Sequence, residues 1–213
     1  MTEFDAPFFV KVCGVTTLGD ANAAIDAGAN AIGLILASSP RQLSLDRAMA
    51  IAESTKDRVL RTLVFRDNDD DFVRDALDLV EVDVVQIHGA LSDELLESLR
   101  ERELLVIKAL SIGSDEFYDF EDSRVDAVLI DGATPGSGVS HSWDALSDRS
   151  FDVPIIAAGG LDESNVASVI AMTRVWGVDS ASGVESSPGV KDRDRLTNFV
   201  ERARDSFHER ATS

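Results

Sequence analysis

Four groups of residues in this 213-residue chain have types and spacing that could do chemistry. The single cysteine, Cys13, directly follows an apolar run, in Lys11-Val12-Cys13-Gly14-Val15-Thr16. A lone cysteine is ordinarily a small buried hydrophobe. At the end of a run and beside a glycine it reads equally as a general base, provided that positive charge or a helix N-terminus lowers its pKa. Asp131 closes the run Val128-Leu129-Ile130-Asp131. A carboxylate there is costly unless partnered or used, although surface aspartates at such ends are common. Three glycine-rich turns follow later apolar runs: Gly136-Ser137-Gly138 after Pro135, Gly159-Gly160, and Ser182-Gly183. Glycines let backbone N–H groups approach a phosphate closely, and a helix N-terminus adds a favourable dipole. Arg41, in Ser38-Ser39-Pro40-Arg41, is either a solvated surface arginine or a clamp for a carboxylate.

The elements that must position these residues alternate along the chain. Short apolar, β-branched runs predict strands at Phe8–Val12, Ala31–Leu36, Val59–Phe65, Val84–Ile87, Leu104–Ala109, Ala127–Asp131, Pro154–Ala158 and Val175–Ser180. Helical patterns separate them at Leu18–Ala27, Leu45–Ser54, Asp70–Leu79, Asp93–Glu101, Asp115–Glu121, Trp143–Arg149 and Glu163–Met172, and Lys191–Arg210 closes the chain. Ser44, Ser92 and Asp162 stand where helix N-caps belong. Eight strand–helix units with no linker or composition break predict one α/β domain, a (β/α)8 TIM barrel over residues 1–213, rather than an open doubly wound sheet. Runs such as AIGLIL suit a parallel sheet covered on both faces. In such a barrel chemistry sits at the C-terminal ends of the strands, where Cys13, Asp131 and the glycine turns all fall. An acid and a base on strands one and six would face each other across the mouth. Turns after strands seven and eight form the usual phosphate site of the fold.

Composition narrows the partners. A hydrophobic fraction of 44% describes a globular chain. No apolar run approaches the roughly 20 residues needed to span a bilayer. The start MTEFDAPFFV is acidic where a signal peptide is basic, so a cytoplasmic protein is expected. One cysteine excludes an intramolecular disulfide, and His88, His141 and His208 are too scattered to suggest a metal site. The net charge of −19 opposes binding to nucleic acid or to an anionic membrane. Lysine occurs only at Lys11, Lys56, Lys108 and Lys191. Acid excess with little lysine resembles proteins of high-salt cytoplasms, so self-repulsion should weaken the fold in dilute buffer and be screened in molar salt. Equal unfolding midpoints in the two media would refute that inference. The apolar run Ala6–Val10 fits either a plug for the barrel bottom of a monomer or the contact of a homodimer.

Taken in order, these strings resemble the phosphoribosylanthranilate isomerase family, a barrel of the ribulose-phosphate-binding type. Lys11-Val12-Cys13-Gly14-Val15-Thr16 is similar to its opening K-[IV]-C-G-[IL]-T. Ser39-Pro40-Arg41-Gln42-Leu43-Ser44 resembles its S-[PK]-R-x-[IV]-[ST], and Val85-Gln86-Ile87-His88-Gly89 its V-Q-L-H-G. Gly136-Ser137-Gly138 with Trp143, Ala158-Gly159-Gly160-Leu161 with Asn165-Val166, and Val178-Asp179 with Ser182-Gly183-Val184-Glu185, Gly189, Lys191 and Asp192 complete a match from Lys11 to about Phe199. The resemblance implies that Cys13 is the base, Asp131 the acid and Arg41 the holder of the anthranilate carboxylate. The substrate would be a small phosphorylated sugar-anthranilate. The reaction would be an Amadori rearrangement in tryptophan biosynthesis, with no redox step and hence no cofactor or metal. That pairing asks for an Asp with a raised pKa and a Cys with a lowered one.

Departures from the family pattern are Pro135, Val139 and Ser142 near the first glycine turn, Leu63 and Arg66 on strand three, and Gln42. None replaces the base, the acid or the arginine. Among related barrels, a histidine-pathway isomerase would carry an aspartate where Cys13 stands. An indole-glycerol-phosphate synthase would need a lysine and glutamates at strand ends that are not arranged here. A barrel that only binds a sugar phosphate would not need base, acid and arginine together.

Overall fold

In the computed structural model, which describes residues 6–132 and 150–212, eight parallel strands close into a barrel. They are β1 (Phe9–Cys13), β2 (Ala31–Ile35), β3 (Leu60–Arg66), β4 (Val84–His88), β5 (Leu105–Ser111), β6 (Ala127–Asp131), β7 (Ile155–Ala158) and β8 (Gly177–Ser180), each bonded to the next. Closure runs through β1 and β8, with Lys11 beside Asp179, and it rules out the open-sheet alternative. Around the barrel lie α1 (Leu18–Ala27), α2 (Leu45–Ser54), α3 (Asp70–Leu79), α4 (Asp93–Glu101), α5 (Asp115–Asp119), α6 (Val166–Met172) and α7 (Arg193–Thr212).

Side chains alternate across each strand, so the barrel has two concentric cores. Val10 and Val12 of β1 point outward and join the layer between sheet and helices, with Val73, Ala76 and Leu77 of α3 and Leu95, Leu96 and Leu99 of α4. Phe9 points inward with Ala31, Val84, Ile107, Ala127, Leu129 and Ile156, filling the barrel as a packed interior. Phe8 stacks on Phe207 of α7 at 5.2 Å and Phe9 on Trp176 at 5.0 Å. Phe8, Phe9 and Val10 of the apolar run Ala6–Val10 are thus buried in their own barrel, while Pro7 is exposed. Helix starts are fixed by side chains: the Ser44 and Ser92 hydroxyls accept from the N–H of Arg47 and Leu95 at 3.4 and 3.0 Å. Such caps contribute about 1 kcal/mol each.

The structure corrects several predicted boundaries. Asp162 does not cap α6; its carboxylate accepts from the N–H of Ser164 and Asn165, folding a turn that delays the helix to Val166. Lys191 does not open α7. It belongs to a short antiparallel pair, β9 (Glu185–Ser187) and β10 (Val190–Lys191), and the helix starts at Arg193. The helix α5 stops at Asp119, before a 3-10 turn at Asp122–Arg124. The helix expected at Trp143–Arg149 and the turn carrying Gly136, Ser137 and Gly138 lie outside the described residues. Among the described residues, no helix is long and apolar enough to cross a membrane.

Candidate active site

At the C-terminal ends of the strands opens a cavity of about 610 Å³. Cys13, Arg41, Asp131, Gly159, Gly160 and Ser182 all line it. The barrel therefore brings to one place residues that the sequence spreads over 170 positions (13 to 182).

Cys13 ends β1 on its inward face and is only 5% exposed. Asp131 ends β6 in the same way, half-buried, on the other side of the mouth. Gly159, with φ +87°, leaves the space for that carboxylate: a Cβ there would sit 2.4 Å from Asp131 Oδ1. Burial first, and the nearby Asp179 second, push the Asp131 pKa above the usual carboxylate value. A raised pKa is the direction that the sequence expectation asked of Asp131.

The turns after β7 and β8 pack on each other. Ser180 Oγ donates to the Leu161 carbonyl at 2.6 Å, and a Cβ on Gly183 would lie 1.9 Å from that same oxygen. Gly159, Gly160 and Ser182 reach the cavity, whereas Gly183 is the point of contact between the turns.

Arg41 crosses from the loop after β2 to Glu185 of β9, donating from Nε and Nη2 to the two carboxylate oxygens at 2.6 and 2.7 Å. Lys191 Nζ donates to the same glutamate at 3.0 Å and to the Ala181 carbonyl at 2.8 Å. Despite the opposing effect of burial, Arg41 and Lys191 hold Glu185 below the ordinary carboxylate range. A guanidinium has five donors, so Arg41 keeps three beyond those given to Glu185.

His88, at the end of β4, also lines the cavity. Burial, then the charges of Arg66, Lys11 and Lys108, push its pKa down to about 3, so its ring is neutral at working pH. Arg66 Nη2 lies 3.4 Å from Nδ1, and the Gln86 carboxamide lies 2.8 Å from Nε2. The Gln86 atom nearest Nε2 is the amide nitrogen, while its buried Oε1 has no partner. A neutral ring can accept at only one nitrogen, so with Arg66 donating to Nδ1 the Nε2 proton requires the Gln86 carboxamide turned to present its oxygen. Among the described residues, no group of three His, Cys, Asp or Glu side chains is placed to hold a metal.

The model of the family described as N-(5'phosphoribosyl)anthranilate (PRA) isomerase matches residues 10–202. The chain belongs to this family. An N-(5'-phosphoribosyl)anthranilate isomerase of Natronomonas pharaonis is 37% identical over 204 residues, covering 91% of this chain and 97% of that protein. The crystal structure of the phosphoribosyl anthranilate isomerase from Thermotoga maritima superposes with a TM-score of 0.82 at 32% identity, covering 93% of this chain and 99% of that one. A phosphoribosyl anthranilate isomerase in complex with reduced 1-(o-carboxyphenylamino)-1-deoxyribulose 5-phosphate gives 0.79 at 31% identity, covering 93% and 99%.

For a member of this isomerase family, the ionisation of Cys13 departs from the sequence expectation. The thiol pKa is raised, not lowered. Burial is the largest influence; Lys11 and Lys191 pull the other way, and Asp179 adds to the rise. The expectation considered only the charges a strand end could meet, and the enclosing barrel outweighs them. Asp179, Glu185, Lys191, Lys11 and His88 were not singled out as site residues. For Lys11 and Asp179 a signal existed: each shares the inward face of a residue or turn already suspected, by the two-residue period of a strand. Glu185 meets Arg41 across 144 positions, a contact no local pattern announces.

Proposed function

We propose that the chain isomerises N-(5'-phosphoribosyl)anthranilate to 1-(2-carboxyphenylamino)-1-deoxyribulose 5-phosphate, a step of tryptophan biosynthesis, with Asp131 as acid and Cys13 as base. The observation that carries the residue roles is the one cavity that both Cys13 of β1 and Asp131 of β6 line, with Arg41 and the paired glycine turns on its rim. Protonated Asp131 gives its proton to the ribose ring oxygen as the C1'–O bond breaks, and the anthranilate nitrogen lone pair forms the C=N bond of a Schiff base. The Cys13 thiolate then takes the C2' proton, leaving an enolamine. Reprotonation at C1' and loss of the 2'-hydroxyl proton give the ketone. Protons in and out balance, and no electron acceptor is needed.

The substrate carries a phosphate and a carboxylate, and the chain carries a net charge of −19. Backbone amides of the turns at Gly159-Gly160 and Ser182-Gly183 would seat the phosphate without spending basic side chains. Arg41, its guanidinium plane fixed by Glu185, would take the carboxylate. We place the enzyme in a high-salt cytoplasm, where screening offsets repulsion between enzyme and substrate.

The direct test follows the fluorescence of freshly generated phosphoribosylanthranilate in molar KCl. Consumption by the wild-type protein is expected; a folded protein that leaves the signal intact would refute the activity. Two substitutions then probe the rim. Glu185→Gln should raise KM about tenfold or more with a smaller fall in kcat, because one charge-assisted bond orienting Arg41 is lost. An unchanged KM would remove Glu185 from substrate binding. Gly183→Ala forces a Cβ into the Leu161 carbonyl and should separate the two turns, weakening competition by inorganic phosphate by at least roughly tenfold. Equal inhibition of variant and wild type would move the phosphate elsewhere.

A further inference from the structure

Lys11 is wholly buried inside the barrel, between Phe9 and Cys13 on the inward face of β1. Lysine is almost never fully buried unless paired, and its pairing here is specific. Nζ lies 2.8 Å from Asp179 Oδ2, on the strand directly beside it in the closing register of the barrel. Phe9, Lys11 and Cys13 alternate with outward-facing Val10 and Val12, so the ammonium lies one inward position below the sulfur. Stability does not explain the pair, since a buried ion pair is commonly no better than an apolar pair of similar volume. Nor does substrate contact, since Lys11 is not among the residues lining the cavity.

We propose that Lys11 is a positioning residue for the base: its ammonium, anchored by Asp179, is the fixed counter-charge against which the Cys13 thiol ionises. The other charged groups around the sulfur are less available for this role. Arg41 and Lys191, from the loop after β2 and from β10, are both bound to Glu185. Asp179 is an acid and opposes a thiolate. After burial itself, Lys11 is the strongest influence on the thiol, and it acts to offset that burial. Burial pulls the ammonium down, but Asp179 and Cys13 outweigh it, so the surroundings of Lys11 favour its charged form. The inference rests on the proposed role of Cys13 only for its catalytic meaning.

Because the chain has one cysteine, ultraviolet thiolate absorbance reads Cys13 alone once the Cys13→Ala spectrum removes the contribution of Tyr118. Lys11→Met should form thiolate only at higher pH than wild type, with roughly a tenfold or greater loss of thiolate at a fixed pH below the midpoint. An unmoved titration would overturn the proposal. Should the orphaned Asp179 charge prevent folding, Lys11→Met/Asp179→Asn removes both charges together. If Lys11 governs the thiol, the double variant still titrates above wild type; if it does not, loss of Asp179 leaves the midpoint unchanged or lowers it, and the proposal fails. In turnover, Lys11→Met should lower kcat by a similar factor with KM nearly constant, and its rising pH limb should move with the thiol. The titration needs no substrate, so a shift in a wild type that lacks isomerase activity would refute the proposed reaction and leave the Lys11–Cys13 coupling intact.

Discussion

Cys13→Ala is expected to lose isomerase turnover by about 10³-fold or more while the protein stays folded. General acid–base groups contribute roughly 10² to 10⁴ each, and proton removal from carbon, the step assigned to Cys13, has no other base in reach on strand one. The substitution removes one sulfur atom from a side chain at the cavity surface, so the packing loss is small and the circular dichroism should be unchanged. Cys13→Ser should fail almost as badly, because a hydroxyl far above a thiol in pKa supplies no useful oxyanion. Binding of a product analogue should survive in both, since the phosphate and carboxylate seats are untouched. With the thiol pKa raised by burial, wild-type activity should climb with pH through the region where the thiol ionises. Near-normal turnover by folded Cys13→Ala would take the base away from this residue.

Much of the frame that places that thiol was legible in the chain. Parallel strands buried on both faces leave continuous β-branched runs, and each of the eight predicted runs overlaps a barrel strand. Helix starts were readable where one hydroxyl does the capping, as at Ser44 and Ser92. They were misread where side chains cooperate: Asp162 and Asn165 bond to each other's backbone and hold three residues out of α6. The β9–β10 pair, five residues in all, is too short to show a period. In the site, Cys13 and Asp131 were legible as candidates because each closes an apolar run, and Arg41 because it lies on the loop after β2. The direction of the Cys13 shift could not be, since it depends on how fully the barrel encloses the sulfur against the pull of Lys11, Lys191 and Asp179, and burial is a property of the closed fold.

Asp131→Asn is expected to be the second great loss, about 10² to 10⁴ in kcat, because an amide cannot hand a proton to the ring oxygen. Here fold and function pull in opposite directions. Burial and Asp179 raise the folded pKa of Asp131 above its ordinary 3.8, so over that interval the folded state holds a proton that the unfolded chain has released. Stability therefore falls as pH rises from the unfolded to the folded pKa. Asparagine has no proton to lose and escapes that penalty. The melting temperature of Asp131→Asn relative to wild type should accordingly increase between acid and neutral buffer while turnover stays abolished. A constant difference across that range would mean that Asp131 titrates as an ordinary carboxylate. It would then reach neutral pH ionised, and the proton for ring opening would have to come from another group. In wild type, activity should fall as pH rises through the raised Asp131 pKa, while ionisation of the buried Cys13 acts in the opposite sense. If the thiol titrates above the acid, the competent form, with Cys13 ionised and Asp131 protonated, is the minor arrangement of one shared proton. The bell-shaped profile would keep its form, but Asp131→Asn would isolate the thiol limb in any residual activity, and Cys13→Ala the carboxyl limb.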